Sequence, residues 1–189
     1  MSLNDHQGGT MGSHTIFKKR WMILISITLM SLLFYSSAPA LDSEINRATL
    51  RGLAGVKVLV EDLAPEIEKS GLTKDRLQGQ IEQKLKNAKI KVLTQEECLK
   101  TPGEPYLYII LNANVIRPKG DAYAYSIDIE LIQNVMLQRN PALKGYAITW
   151  STGGIGSIEK EFLDRLRDSV DDLVNIFVQA YLNENSKKK

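Results

Sequence analysis

Between Tyr106 and Ser151 apolar side chains recur at every second position, and this alternation constrains the fold more than any other feature of the chain. A period of two assigns successive side chains to opposite faces of a sheet. Leu107, Ile109, Leu111, Ala113 and Val115 share one face of the first segment, and Tyr106, Tyr108, Ile110, Asn112 and Asn114 share the other. The next segment alternates Tyr123, Tyr125, Ile127, Ile129 and Leu131 against Ala124, Ser126, Asp128 and Glu130, and continues to about Leu137. Arg117-Pro118-Lys119-Gly120-Asp121 and Asn140-Pro141-Ala142 carry turn chemistry, so both are expected to close hairpins, with Tyr146 to Ser151 as the last strand.

The flanking segments switch between periods. Val56, Val58 and Val60 alternate with Lys57 and Glu61, as in a half-buried strand. Leu77, Ile81 and Leu85 then follow a helical stripe that Thr73 can cap, with Leu72 placed to staple onto Leu77. Ile90 to Leu93 reads as a second strand, and Thr101 to Pro105 as a loop. Gly153-Gly154-Ile155-Gly156 reads as a glycine link to a terminal helix carrying Phe162, Leu166, Val170, Leu173, Phe177 and Tyr181. The expected class is α+β, in the order β-α-β-β-β-β-α. It predicts a mostly antiparallel sheet of four to five strands with two helices on one face.

Upstream lies the pattern of a secretory signal. Lys18-Lys19-Arg20 precedes an apolar run from Trp21 to Tyr35, and Ala38 and Ala40 supply the small residues a signal peptidase needs. About 15 helical residues at about 1.5 Å each reach about 22 Å, short of a hydrocarbon core of about 30 Å, which favours cleavage over a retained anchor. The expected organisation is residues 1–40 as signal with an amino-terminal extension, 41–54 as a lead-in, 55–183 as one domain and 184–189 as a disordered basic tail. The expected location is periplasmic or secreted, with no stable membrane anchor after cleavage.

Cleavage removes Lys18, Lys19, Arg20 and Asp5, which lowers the chain's 24 basic and 22 acidic side chains to 21 of each. A neutral surface with both signs interspersed lacks the clustered cations that bind nucleic acid. The only histidines, His6 and His14, leave with the signal, and Cys98 is the only cysteine. Imidazole-based nucleophile systems are thereby excluded from the mature domain, along with intrachain disulfides and the usual zinc ligand sets. No cofactor or metal is expected. Glu96 and Glu97 beside Cys98 are expected to suppress its thiolate.

An exported strand-helix-strand unit followed by a three-stranded meander and a closing helix resembles, from Gly55 to Tyr181, several small envelope modules. These are the amino-terminal domain of the Tol translocation protein and the lipopolysaccharide-assembly and curli-secretion lipoproteins. The stretch from Tyr123 to Leu131 through Trp150 to Gly153 is also similar to a family of uncharacterised bacterial exported proteins, a resemblance that implies no activity. Unlike the lipoproteins, this chain has no cysteine after its apolar run to receive a lipid.

The candidate binding residues are Tyr106, Tyr108, Asn112, Asn114, Asp128 and Glu130, an aromatic, amide and carboxylate strip facing away from the expected core. Such a surface suits an envelope protein, a glycan or a lipid head group. The Gly153 to Gly156 run lacks the Lys-Ser or Lys-Thr pair of a phosphate-binding loop. Asp164, Asp168, Asp171 and Asp172 lie on a helix, which cannot wrap a cation as a loop does. The expected function is a non-enzymatic cell-envelope binding or assembly module. The alternatives are a glycan-directed enzyme using Asp128 and Glu130 on an open, solvated face, and a structural subunit that self-associates through a sheet edge. The secreted protein is expected to begin at Leu41, and an intact mass that retains Trp21 to Tyr35 contradicts this.

Overall fold

The computed structural model describes residues 42–116 and 121–186. The signal, its cleavage residues Ala38 and Ala40, residues 117–120 of the first expected hairpin turn and residues 187–189 of the expected tail lie outside the described residues. The start of that tail is not disordered, since Glu184 and Asn185 close the terminal helix. In chain order the elements are α1 (Glu44–Ala48), β1 (Lys57–Val60), α2 (Pro65–Lys69), α3 (Lys74–Asn87), α4 (Gln95–Lys100), β2 (Tyr106–Val115), β3 (Ala122–Leu137) and β4 (Asn140–Glu159). A 3-10 turn (Lys160–Arg165) then leads into α5 (Leu166–Asn185).

The fold is α+β, but its sheet is mixed. The four strands lie in the order β1-β2-β3-β4, with β1 parallel to β2 and the other two pairings antiparallel. The strand expected at Ile90 to Leu93 shrinks to one parallel bridge between Val56 and Val92. Thr94 ends it by opening α4 with a capping box, in which its hydroxyl accepts from the Glu97 amide and Glu97 accepts from the Thr94 amide. The expected β-α-β-β-β-β-α order therefore gives way to three strands after a run of helices.

Two turns also differ from expectation. The β3–β4 hairpin turns at Gln138 and Arg139, with Leu137 paired to Asn140. Pro141 falls between that pair and Met136–Lys144, in an irregular stretch with no regular ladder for its missing N–H to break. The glycine run from Gly153 to Gly156 is strand and not linker. A Cβ on Gly153 would stand 2.7 Å from Asp128 Oδ1 and the Ile127 carbonyl, and one on Gly156 would stand 2.6 Å from the Tyr125 ring. Glycine here makes room for the side chains of β3.

The period-two reading of the faces holds. Val58, Val60, Leu107, Ile109, Leu111, Ile127, Ile129 and Leu131 are buried in one core cluster with Leu77, Ile81 and Leu85 of α3 and Val170, Val174 and Phe177 of α5. The two long helices thus cover one sheet face. Thr73 caps α3 as expected, accepting from the Arg76 amide at 3.4 Å. Phe162, expected on the terminal helix, lies instead in the 3-10 turn, where Leu163 is buried and Phe162 is only half-buried beneath the Arg165 guanidinium, 4.5 Å from its ring centroid.

Strand β4 carries a bulge between the pairs Leu131–Trp150 and Ile132–Ile148, which leaves Thr149 as the extra residue. Simple alternation would put Tyr146, Ile148 and Trp150 on one face. The bulge instead buries Trp150 completely, edge-on to Phe177 at 5.4 Å, and leaves Tyr146 and Ile148 exposed. Trp150 Nε1 donates to Asp42 Oδ1 at 2.6 Å, and Asn46 Nδ2 donates to the Thr149 carbonyl at 2.9 Å. Arg47 pairs with Asp42 at 2.6 Å, and that guanidinium, together with Trp150, holds the Asp42 carboxyl below the usual range against the opposing effect of burial. Fully buried Leu50 completes the docking of the lead-in against the helix side of the sheet.

Trp150→Phe is expected to cost about 1–2 kcal/mol by removing the indole donor, and Trp150→Ala about 3–5 kcal/mol by also emptying the core. Denaturant melts measure both. The Phe variant should additionally show faster tryptic cleavage at Arg47 and Arg51, because the lead-in loses an anchor.

Candidate functional site

The sheet face opposite the helices is built from the even-numbered residues of β2 and the cross-strand partners they meet. Tyr106 stands opposite Ile132, Tyr108 opposite Glu130, Ile110 opposite Asp128, Asn112 opposite Ser126 and Asn114 opposite Ala124. Tyr108, Glu130 and Asp128 are therefore near neighbours, with Tyr106 one step further along β2. Asn112 and Asn114 are exposed at the far end of the strip, so the strip is about 26 Å long at about 3.3 Å per residue. The lead-in from Asp42 to Ala54 docks at the β4 bulge on the helix side and does not cover these residues.

Several contributors escaped the sequence reading. Leu59 and Lys57 of β1 align with Tyr108 and Tyr106. Tyr146 reaches the same face through the Thr149 bulge, and its ring meets Tyr106 edge-on at 6.1 Å, while Tyr106 meets Tyr108 at 6.5 Å. Glu104 fastens this end of the strip. Its carboxylate accepts from Tyr146 Oη and, at 3.1 Å, from Asn134 Nδ2, and the Asn134 amide donates to the Gly103 carbonyl at 2.7 Å. Tyr146 and Asn134 together hold the Glu104 carboxyl below its ordinary range. The alternation contained the signal for Tyr146, but its face depended on the bulge.

Helix α4 stands beside the tyrosines and leaves a hollow of about 240 Å³ lined by Lys57, Leu59, Leu99, Glu104, Tyr106 and Tyr146, among others. Cys98 is buried at its edge, and its thiol donates to the Pro105 carbonyl at 3.5 Å. The thiol is pushed up, as expected, but by burial first, with Glu104 adding to it and Lys57 opposing it. Glu96 and Glu97 are not the cause: Glu97 is engaged by Lys91 at 2.7 Å, and Glu96 by Lys100.

The expectation of a fully solvated carboxylate pair is corrected at Glu130. Burial, then Asp128, then Glu61 push its carboxyl above the usual carboxylate range. Burial and Glu61 likewise push the Tyr108 phenol up. The acidic residues of α5 are partly engaged elsewhere: Asp171 bridges to Lys84 of α3 at 2.5 Å, and Asp168 meets Arg167 at 3.1 Å. Among the described residues no group of three or more His, Cys, Asp or Glu side chains is disposed to hold a metal, and no helix is long and apolar enough to cross a membrane. A larger open concavity of about 800 Å³ lies elsewhere, between the end of α2 and the 3-10 turn, with Glu66, Lys69, Glu161 and Asp164 among its walls.

No protein-family model matches this chain, and no curated protein is significantly similar to it in sequence.

Glu130→Gln should reveal the carboxylate crowding. A folded-state pKa above the unfolded value means that stability falls as pH rises from the unfolded through the folded pKa. The variant is therefore expected to gain up to about 0.5 kcal/mol at neutral pH and nothing where both states are protonated, as read from denaturant melts at the two pH values.

Proposed function

We propose that this chain is an exported, non-enzymatic binding or assembly module of the cell envelope that holds its partner across the uncovered sheet face. The observation that carries this reading is the strip formed by Tyr106, Tyr108 and Tyr146 with Glu130 and Asp128, left open because both long helices lie on the opposite side. Three clustered tyrosines supply large, rigid contact area, and flanking amides and carboxylates supply direction. Asn112 and Asn114 extend the surface toward a glycan, a lipid head group or the polar rim of a protein interface. Export rests on the signal pattern, and the lack of histidine in the mature segment argues for binding over imidazole-based catalysis.

A second reading draws on the raised Glu130 carboxyl next to Asp128 on the same face. Two carboxyls two residues apart on a strand, about 7 Å by strand geometry, one of them raised by burial, suit acid–base work on a glycosidic bond. In that case Asp128→Asn abolishes glycan cleavage and spares glycan binding.

Replacing Tyr106 and Tyr108 together by Ser separates binding from folding. Each change is expected to cost within about 0.5 kcal/mol of stability, and the pair is expected to reduce capture of the envelope partner at least tenfold, because aromatic anchors dominate interface energy. Lost stability with unchanged capture overturns the proposal.

A further inference from the structure

Strand β4 is the outer strand of the sheet, and its two halves differ in how they are guarded. The half from Asn140 to Thr149 carries Pro141, Lys144, two irregularities of pairing and the docked lead-in, the usual devices that keep an edge from meeting another strand. The half from Gly153 to Ile158 carries no charge, no proline and no bulge. The ladder also shows which way its backbone points. The Lys160 amide donates to the Asp121 carbonyl at 3.0 Å, and these residues are in register with the pair Ala122–Glu159. Alternation of bonded and non-bonded pairs then turns the N–H and C=O groups of Ile158, Gly156, Gly154 and Thr152 toward β3, and those of Glu159, Ser157, Ile155 and Gly153 outward. Among the described residues no backbone group beyond the sheet bonds to those four. Ile155 is 85% exposed, the most exposed large apolar side chain among them.

We propose that this half of β4 pairs with the same half in a second copy of the chain, antiparallel about a twofold axis at Ile155. A bare strand edge is satisfied by another extended backbone, and a twofold pairing presents each residue to its own counterpart or mirror position. Ile155 then meets Ile155 of the second copy, and Gly153 meets Ser157, each pair exchanging both N–H···O bonds. The segment is its own complement, because it is uncharged and antiparallel pairing sets Glu159 against Ser151, away from the other Glu159. Glycine and serine on either side of the axis leave the two isoleucines free to cover one another, and the two sheets become one. This pairing goes beyond the partner reading and uses none of the tyrosine strip.

The test is the solution mass of the purified protein by light scattering, with its N-terminus established by intact mass. The wild type is expected to weigh two chains. Ile155→Lys is expected to halve that mass by opposing two ammonium groups across the axis. Ser157→Pro should do the same by removing an outward donor while leaving the β3 ladder whole, and thermal melts confirm that each variant is folded. Ile148→Lys, in the guarded half, should keep the two-chain mass. Mixing Ile155→Lys with Ile155→Glu should restore it, since only a twofold at this residue brings the opposite charges together. A single-chain wild type overturns the proposal, as does a two-chain mass that survives both Ile155→Lys and Ser157→Pro, or a mixture that stays monomeric.

Discussion

One-sided burial governs this domain. The odd-numbered face of β2 and β3, with Leu107, Ile109, Ile127, Ile129 and Leu131 all at or below 1% exposure, is the surface on which both long helices lie. Each such side chain contributes roughly 1.5–3 kcal/mol relative to exposure. The helices follow from it, since α3 and α5 each present a stripe to that face and little elsewhere. The uncovered tyrosine face follows as well, because a sheet with all its helices on one side exposes the backs of the same strands.

Trp150 fixes how the rest of the chain closes over that core. The Thr149 bulge rotates the indole inward against Phe177 and leaves its N–H for Asp42. The first described residues are drawn onto the helix side of the sheet as a consequence, which keeps them off the tyrosines. The same bulge sends Tyr146 outward to join Tyr106 and to reach Glu104. A single inserted residue therefore both seals the core and completes the candidate surface.

The open face and the β4 edge offer two different chemistries. The face provides rings, amides and carboxyls held by cross-strand neighbours, with burial and the nearby Asp128 raising the Glu130 carboxyl. The edge offers backbone hydrogen bonds and one exposed isoleucine. The two lie side by side, since Ile155 and Gly153 are in register with Ser126 and Asp128, but the edge draws on outward backbone groups and the face on side chains.

The α+β class, the faces of β1, β2 and β3, the capped helix from Lys74 and the outward placement of Tyr106 and Tyr108 were legible in the sequence, because burying one face imposes a period of two or of 3.6 on the residues themselves. The parallel partner of β1, the bulge at Thr149 and the strand character of Gly153 to Gly156 were not. Parallel pairing depends on where a distant segment lands after a crossover. A bulge changes face without changing composition, and glycine looks like a linker until Asp128 and Tyr125 are seen to need its space. The capping box at Thr94 and Glu97 was present in the sequence, yet a run of β-formers from Ile90 to Leu93 pointed to a longer strand. Local periodicity determined which residues are buried; only tertiary pairing decided which surfaces remain exposed, because exposure depends on what the remainder of the chain does not cover.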